Sequence, residues 1–243
     1  MLTIVPVEGM PEVLPGADLA ALITEHAELA DGDIVVVTSK IVSKAEGCTV
    51  ELSAVAPSQF ATDWATRWNK DPRVVEVVLR ESSRIVRQVA DLLITETRHG
   101  FVCANSGVDQ SSSGAAGRVL VLPPDPDASA RRLRAALRRD GRDVAVIVTD
   151  TFGRPWREGQ TDVAIGVGGI KPIRSYIGQR DPHGYEFHVQ EICVADEVAG
   201  AAELVKGNLS RVPVAIVRGY EWERDDSASM ATVIREASRD LFR

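Results

Sequence analysis

A chain of 243 residues that is 44% hydrophobic and 26% charged can bury one large core or two smaller ones, which excludes an extensively disordered protein. Its net charge of −7 argues against a broad nucleic-acid surface while leaving room for a local cationic pocket. Cys48, Cys103 and Cys193 form no CxxC pair or zinc spacing, and no run of 18 apolar residues or basic leader occurs, so the chain reads as reduced, soluble and cytoplasmic.

Leu2 to Val7 reads as a strand, followed by a turn in which Gly9 permits close backbone approach. Asp18 caps a helix with Leu19, Leu22 and Ile23 on one face. The strand Ile34 to Val37 stops at Thr38, Ser39 and Lys40, with Ser43 and Lys44 just beyond. Two lysines four apart, each after a serine, suit either a phosphate cradle or a solvated strand edge. Residues 57–90 read as helical, with Trp64 and Trp68 as core or dimer contacts and Asp71-Pro72 opening a helix that turns Val75, Val78 and Leu79 inward. Leu92 to Thr95 and Phe101 to Ala104 make a hairpin around Arg98-His99-Gly100. The second strand ends in the polar, glycine-containing stretch 105–114, which carries Asp109. Val119 to Leu122 is a short strand. The next helix turns Leu133, Ala136 and Leu137 inward and sets Arg131, Arg132, Arg134, Arg138 and Arg139 on a solvated outer face.

Val144 to Val148 is an apolar strand of the kind buried on both faces. It stops at Asp150 and Thr151, a carboxylate and a hydroxyl suited to Mg²⁺ or Mn²⁺, and Arg154 and Arg157 follow in one loop as anion clamps. The glycines between Asp162 and Gly169 lack the third position of a dinucleotide fingerprint, and no GxxxxGK[ST] loop occurs, so a Rossmann or P-loop site is not expected. His183 and His188 make no zincin motif and read as structural or exposed. Glu186 to Val194 reads as a strand, Asp196 to Val205 as a helix, Lys206 to Arg211 as a polar break and Val214 to Val217 as a strand. A last helix carries Met230, Val233, Ile234, Ala237 and Leu241.

Convergence of the strand ends would bring Asp109 and Asp150 to one divalent cation beside several lysines and arginines. That is an inventory for phosphoryl chemistry in a mixed α/β protein. The residues themselves stop at a metal-dependent enzyme acting on a phosphorylated or nucleotide substrate. A metal-dependent phosphohydrolase and a non-catalytic nucleotide- or cofactor-binding protein stay open as alternatives.

Taken together, VPVEGMPEV at 5–13, DGDIVVVTSKIVSKAEG at 31–47, NSGVDQS at 105–111, LPPDPDASA at 122–130, VTDTFGRPWREGQTDVAIG at 148–166, VADEVAGAAELVKG at 194–207 and PVAIVRG at 213–219 resemble the coenzyme F420:L-glutamate ligase family in order and over nearly the whole chain. The resemblance implies a mixed α/β (α+β) fold with two interleaved subdomains in an intertwined homodimer. It implies one ligase domain over 1–243, free-standing or the ligase part of a fusion with a nitroreductase-like domain. The activity implied is GTP-dependent: L-glutamate is joined to the lactyl carboxylate of F420-0 through an acyl phosphate, a further glutamate is γ-linked, and GDP and phosphate are released. Magnesium or manganese serves as divalent metal, with K⁺ as a further ion. Carried over, Asp109, Asp150 and Thr151 are metal ligands and Asn208 a ligand of a second metal, with Asp109, Asp150, Arg154 and Arg157 as the catalytic set. Met10, Pro11, Glu12, Val13, Ser39, Lys40, Lys44, Ser112 and the segment Lys206, Gly207, Asn208, Leu209, Ser210, Arg211 line the GTP or F420 site. The chain departs from the family pattern at Ser112 and at Asn208 to Ser210.

Overall fold

A computed structural model describes residues 1–110, 117–138 and 141–240. In chain order its elements are β1 (Thr3–Pro6), α1 (Leu19–His26), β2 (Ile34–Thr38), α2 (Ser39–Ala45), β3 (Thr49–Glu51), α3 (Gln59–Trp68), α4 (Pro72–Arg80), β4 (Ser82–Val89), β5 (Leu92–Thr97) and β6 (Val102–Ala104). They continue with β7 (Arg118–Leu120), α5 (Pro126–Leu137), β8 (Ala145–Arg154), β9 (Arg157–Ile170), β10 (Ile173–Ser175), β11 (Glu191–Cys193), α6 (Val194–Lys206), β12 (Val214–Arg218) and β13 (Arg224–Asp225).

The most apolar strands lie in the middle of a six-stranded sheet of order β1-β12-β2-β8-β9-β13. β2 and β8 run parallel, with Val35 opposite Val146 and Val37 opposite Val148; their other neighbours are antiparallel. Successive side chains alternate between faces. Val35, Val37, Val146 and Val148 enter the core shared with α1 and α5, while Ile34, Val36, Ala145 and Ile147 enter the core shared with α6. All eight are fully buried, as expected for a strand covered on both sides.

Local chemistry sets the helix starts. Asp18, Asp71 and Asp125 each accept the backbone N–H that an N-cap should satisfy, and Pro72 and Pro126 occupy the first turns of α4 and α5. The glycines of β9 seat α5: a Cβ on Gly166 would lie 2.3 Å from the Pro126 carbonyl oxygen, and one on Gly168 would lie 2.8 Å from the Ala130 carbonyl. A second subdomain, inserted between α2 and α5, packs α3 and α4 against the β4-β5-β6 sheet. Trp64, Ala65, Val75, Val78 and Leu93 form its core, with Trp68 against it, so the tryptophan pair is core. The mixed α+β class holds.

Several local expectations are corrected. Residues 57–90 are not wholly helical: after the C-cap at Glu81 the chain becomes β4, because β5 offers a backbone partner and the helical apolar stripe ends at Leu79. The polar residues after β2 form α2 rather than a strand edge. Arg134 is buried, not part of a solvated face; it donates to the Val144 carbonyl at 2.7 Å and pairs with Asp143 and Asp226. Within Glu186 to Val194 only β11 is a strand, set by pairing with β10. No final helix forms among the described residues. Asp127 captures the Ser229 hydroxyl and the Met230 N–H, so the chain proceeds in short turns at Met230–Thr232 and Ala237–Arg239. Arg139 and Leu241 lie outside the described residues.

The glycine seat gives a direct check. Gly166→Ala should lower stability by about 1–3 kcal/mol through overpacking against α5. Gly153→Ala, whose methyl meets open space, should leave the urea midpoint nearly unchanged.

Candidate active site

Parallel β2 and β8 deliver their C-terminal ends to the same edge of the sheet, the usual position for a ligand site in such an arrangement. From β2 the chain turns into α2, which presents Lys40 and Lys44 one helical turn apart. From β8 come Asp150 and Thr151, one and two residues beyond the point where Thr149 pairs with Thr38. These residues line one cleft of about 390 Å³ together with Met10, Pro11, Glu12 and Val13 from the loop after β1. Lys206, Gly207, Asn208 and Arg211, at and after the end of α6, close another side.

Both lysines of α2 are paired. Lys44 binds Glu12 at 2.5 Å, and Lys40 binds Asp109 at 3.0 Å. Lys40 also acts electrostatically on Asp150, so the two acids 41 residues apart in the chain share one ammonium neighbour. Burial pushes the Asp150 carboxyl up to about 6, despite hydrogen bonds from the Thr151 backbone and the Ser39 hydroxyl; the nearby Asp162 charge adds to the rise. Ser39 is buried and supports Asp150 from behind rather than lining the cleft.

In the cleft wall, Asp162 and Lys206 form an ion pair at 2.7 Å, each side chain 3% exposed. Thr149 receives a hydrogen bond from Lys206 at 2.9 Å and donates to Asp162 Oδ2 at 3.0 Å. Thr151 donates to Asp162 Oδ1 at 2.7 Å. Glu203 lies 3.6 Å from Lys206, and burial, then the Asp162 charge, raise its carboxyl above the usual range. Asp162 and Glu203 both line the cleft and both escaped the sequence reading. Asp162 carried no usable signal: counted out evenly from the Pro155-Trp156 turn of the β8–β9 hairpin, Gln160 would fall opposite Thr151, and only the register shift between Phe152 and Arg154 brings Asp162 there.

That hairpin corrects the reading of 150–157. β8 does not end at Asp150; cross-strand pairing of Thr151 with Asp162 and Phe152 with Thr161 carries the strand on to Arg154. Arg154 and Arg157 face each other at the exposed tip and do not line the cleft. Leu209 is 96% exposed and, like Ser210, is absent from the lining; the Ser210 hydroxyl bonds the Lys206 carbonyl instead. Asn208 stands exposed at the rim, and Ser112 lies outside the described residues. The Cys103 thiol is buried and pushed up to about 12, so it is no nucleophile.

Among the described residues no three carboxylate, histidine or cysteine side chains gather into a complete metal cage. Magnesium-type ions do not need one, since they keep several waters and use one or two carboxylates plus substrate phosphates. A desolvated Asp150 carboxylate beside the Thr151 hydroxyl fits that donor set, with Asp109 across Lys40.

A family model described as F420-0:Gamma-glutamyl ligase matches residues 9–219. The chain is 49% identical over 247 residues to a protein of Methanopyrus kandleri named coenzyme F420:L-glutamate ligase, covering 100% of this chain and 98% of that one. It is 45% identical to the protein of that name from Methanothermobacter thermautotrophicus, covering 100% and 99%, and 42% identical to that from Halobacterium salinarum, covering 98% and 94%.

Two outcomes test this electrostatic picture. Lys206→Met should cost about 3–5 kcal/mol in denaturant unfolding, because Asp162 is left buried without its cation, whereas Lys206→Met/Asp162→Leu should recover most of that loss. Asp150 has a folded-state pKa raised above its unfolded value, so its contribution is fully present below pH about 4 and is lost as pH rises through about 6. In metal-free buffer, Asp150→Asn should therefore match the parent protein near pH 4 and exceed its stability by on the order of 2–3 kcal/mol near pH 7, read from urea curves across that range.

Proposed function

The chain belongs to the F420-0:gamma-glutamyl ligase family, and from that premise we propose that it joins L-glutamate to the lactyl carboxylate of coenzyme F420-0 at the expense of GTP and then adds a γ-linked glutamate. The observation that carries this reading is the cleft itself, where Asp150, Thr151 and the lysines of α2 meet at the end of a rigid sheet.

In this reading the γ-phosphoryl group of GTP moves to the acceptor carboxylate and GDP departs. The glutamate amine then attacks the acyl carbon, phosphate leaves with the bonding pair, and the amine loses its proton as the amide forms. Asp150 and Thr151, with Asp109 alongside, would hold Mg²⁺ or Mn²⁺, which when bound supplies positive charge against the phosphates. Lys40 and Lys44 add cationic charge along one wall, though each must share it with Asp109 or Glu12. Gly207, at φ +58, lets the backbone after α6 turn along the opposite wall where a side chain would be strained. Fixed walls of this kind align acceptor and amine, which supplies much of the rate in a reaction with little covalent chemistry for the protein. K⁺ as a further ion and Asn208 as a ligand of a second metal belong to the same reading. So does a homodimer, for which Ile85, Val86 and Val89, exposed along β4, offer apolar contact.

Incubation with F420-0, L-glutamate, GTP and Mn²⁺ or Mg²⁺ should yield product heavier by one glutamate residue per GDP released, by mass spectrometry. Asp150→Asn should lower that turnover by at least about 100-fold. Phosphate release that needs neither F420-0 nor glutamate would replace the ligase with a phosphohydrolase.

A further inference from the structure

Thr151 lines the cleft, and its hydroxyl carries one proton. That proton goes to Asp162 Oδ1 at 2.7 Å. The other oxygen of Asp162 accepts from the Lys206 ammonium at 2.7 Å and from the Thr149 hydroxyl at 3.0 Å, so the side chain serves as an acceptor on both sides. Thr151 is therefore held as a donor inward, and its lone pairs are left for the cleft. We infer that Asp162, anchored by Lys206, is a positioning residue that makes the Thr151 oxygen an acceptor toward a bound divalent cation. This rests on the reading of Asp150 and Thr151 as a cation site.

The geometry specifies what an amide would do at position 162. Lys206 and Thr149 both donate toward Oδ2, so an asparagine would place its carbonyl there and its NH₂ group against Thr151. Thr151 would then accept from the amide, and its own proton would swing into the cleft, toward the cation. A near-isosteric change would invert the polarity of one ligand while leaving Asp150 in place.

The test counts bound Mn²⁺ by electron paramagnetic resonance, with protein alone and with protein plus GDP, so that it does not depend on turnover. Asp162→Asn should weaken Mn²⁺ binding by about 10–100-fold, the range for partners that orient metal ligands. Thr151→Val should lose a similar factor, and adding Asp162→Asn to it should cost no more than about 3-fold further. The charge-neutral pair Asp162→Leu/Lys206→Met gives a second route should the single variant fail to fold. Its loss should likewise vanish in the Thr151→Val background. Asp127→Asn removes a carboxylate that holds Val167 and Ser229 elsewhere, and should lower stability without changing Mn²⁺ affinity. Parental affinity in Asp162→Asn and in the double variant, or losses that multiply with Thr151→Val, would overturn the positioning role alone. Parental protein that takes up no Mn²⁺ under either condition would overturn the cation site and this role with it.

Discussion

The ammonium of Lys206 and the carboxylate of Asp162 are locked together in the cleft wall, almost fully buried. The pair joins the end of α6 to the β8–β9 hairpin and so decides where the 206–213 wall stands relative to Asp150 and Thr151. Buried ion pairs of this kind add little net stability, since desolvation offsets most of the Coulomb gain, but removing one partner is expensive. Here the remaining valences are filled by Thr149, Thr151 and Glu203, which is the condition for a buried polar cluster to hold a single arrangement. The site inherits its geometry from that cluster.

The cluster in turn needs a stiff frame. β2 and β8 are buried on both faces, and their alternating side chains knit together the layer of α1 and α5 and the layer of α6. The glycines of β9 bring α5 into backbone contact with the sheet, and Arg134 pins that helix to the Val144 carbonyl. A dense interior transmits small displacements. A fault in the α5 seat would therefore reach the β8–β9 hairpin on which Thr149, Thr151 and Asp162 sit.

An acidic protein with a cationic wall also has to keep its own charges apart from its substrate's. Each lysine of α2 is bound to a carboxylate from a different part of the chain, Glu12 before α1 and Asp109 before β7. These exposed or half-exposed pairs are worth little to stability. Their effect is to draw two loops toward α2 and to bring Asp109, through Lys40, to the neighbourhood of Asp150.

Much of this was legible in one dimension, because its causes are local. Apolar runs such as Val144 to Val148, aspartate caps before α1, α4 and α5, and the turn at Arg98 to Gly100 state their own structure, and Asp150 with Thr151 stands out as hard-ligand chemistry after an apolar strand. What the sequence left open depends on partners brought from elsewhere. Ser82 to Val89 becomes a strand because β5 is there to pair with it, and Arg134 is buried because Val144 and Asp226 come to meet it. The long hairpin lifts Arg154 and Arg157 away from the cleft and brings in Asp162, whose meaning rests on a lysine 44 residues away. By itself the sequence determined the strands, the caps and the chemical types of the ligands, since backbone propensity and side-chain chemistry act over a few residues. Only the tertiary structure decided which of those groups share a cleft and which way their protons point, because burial and hydrogen-bond partnership are properties of the packed chain.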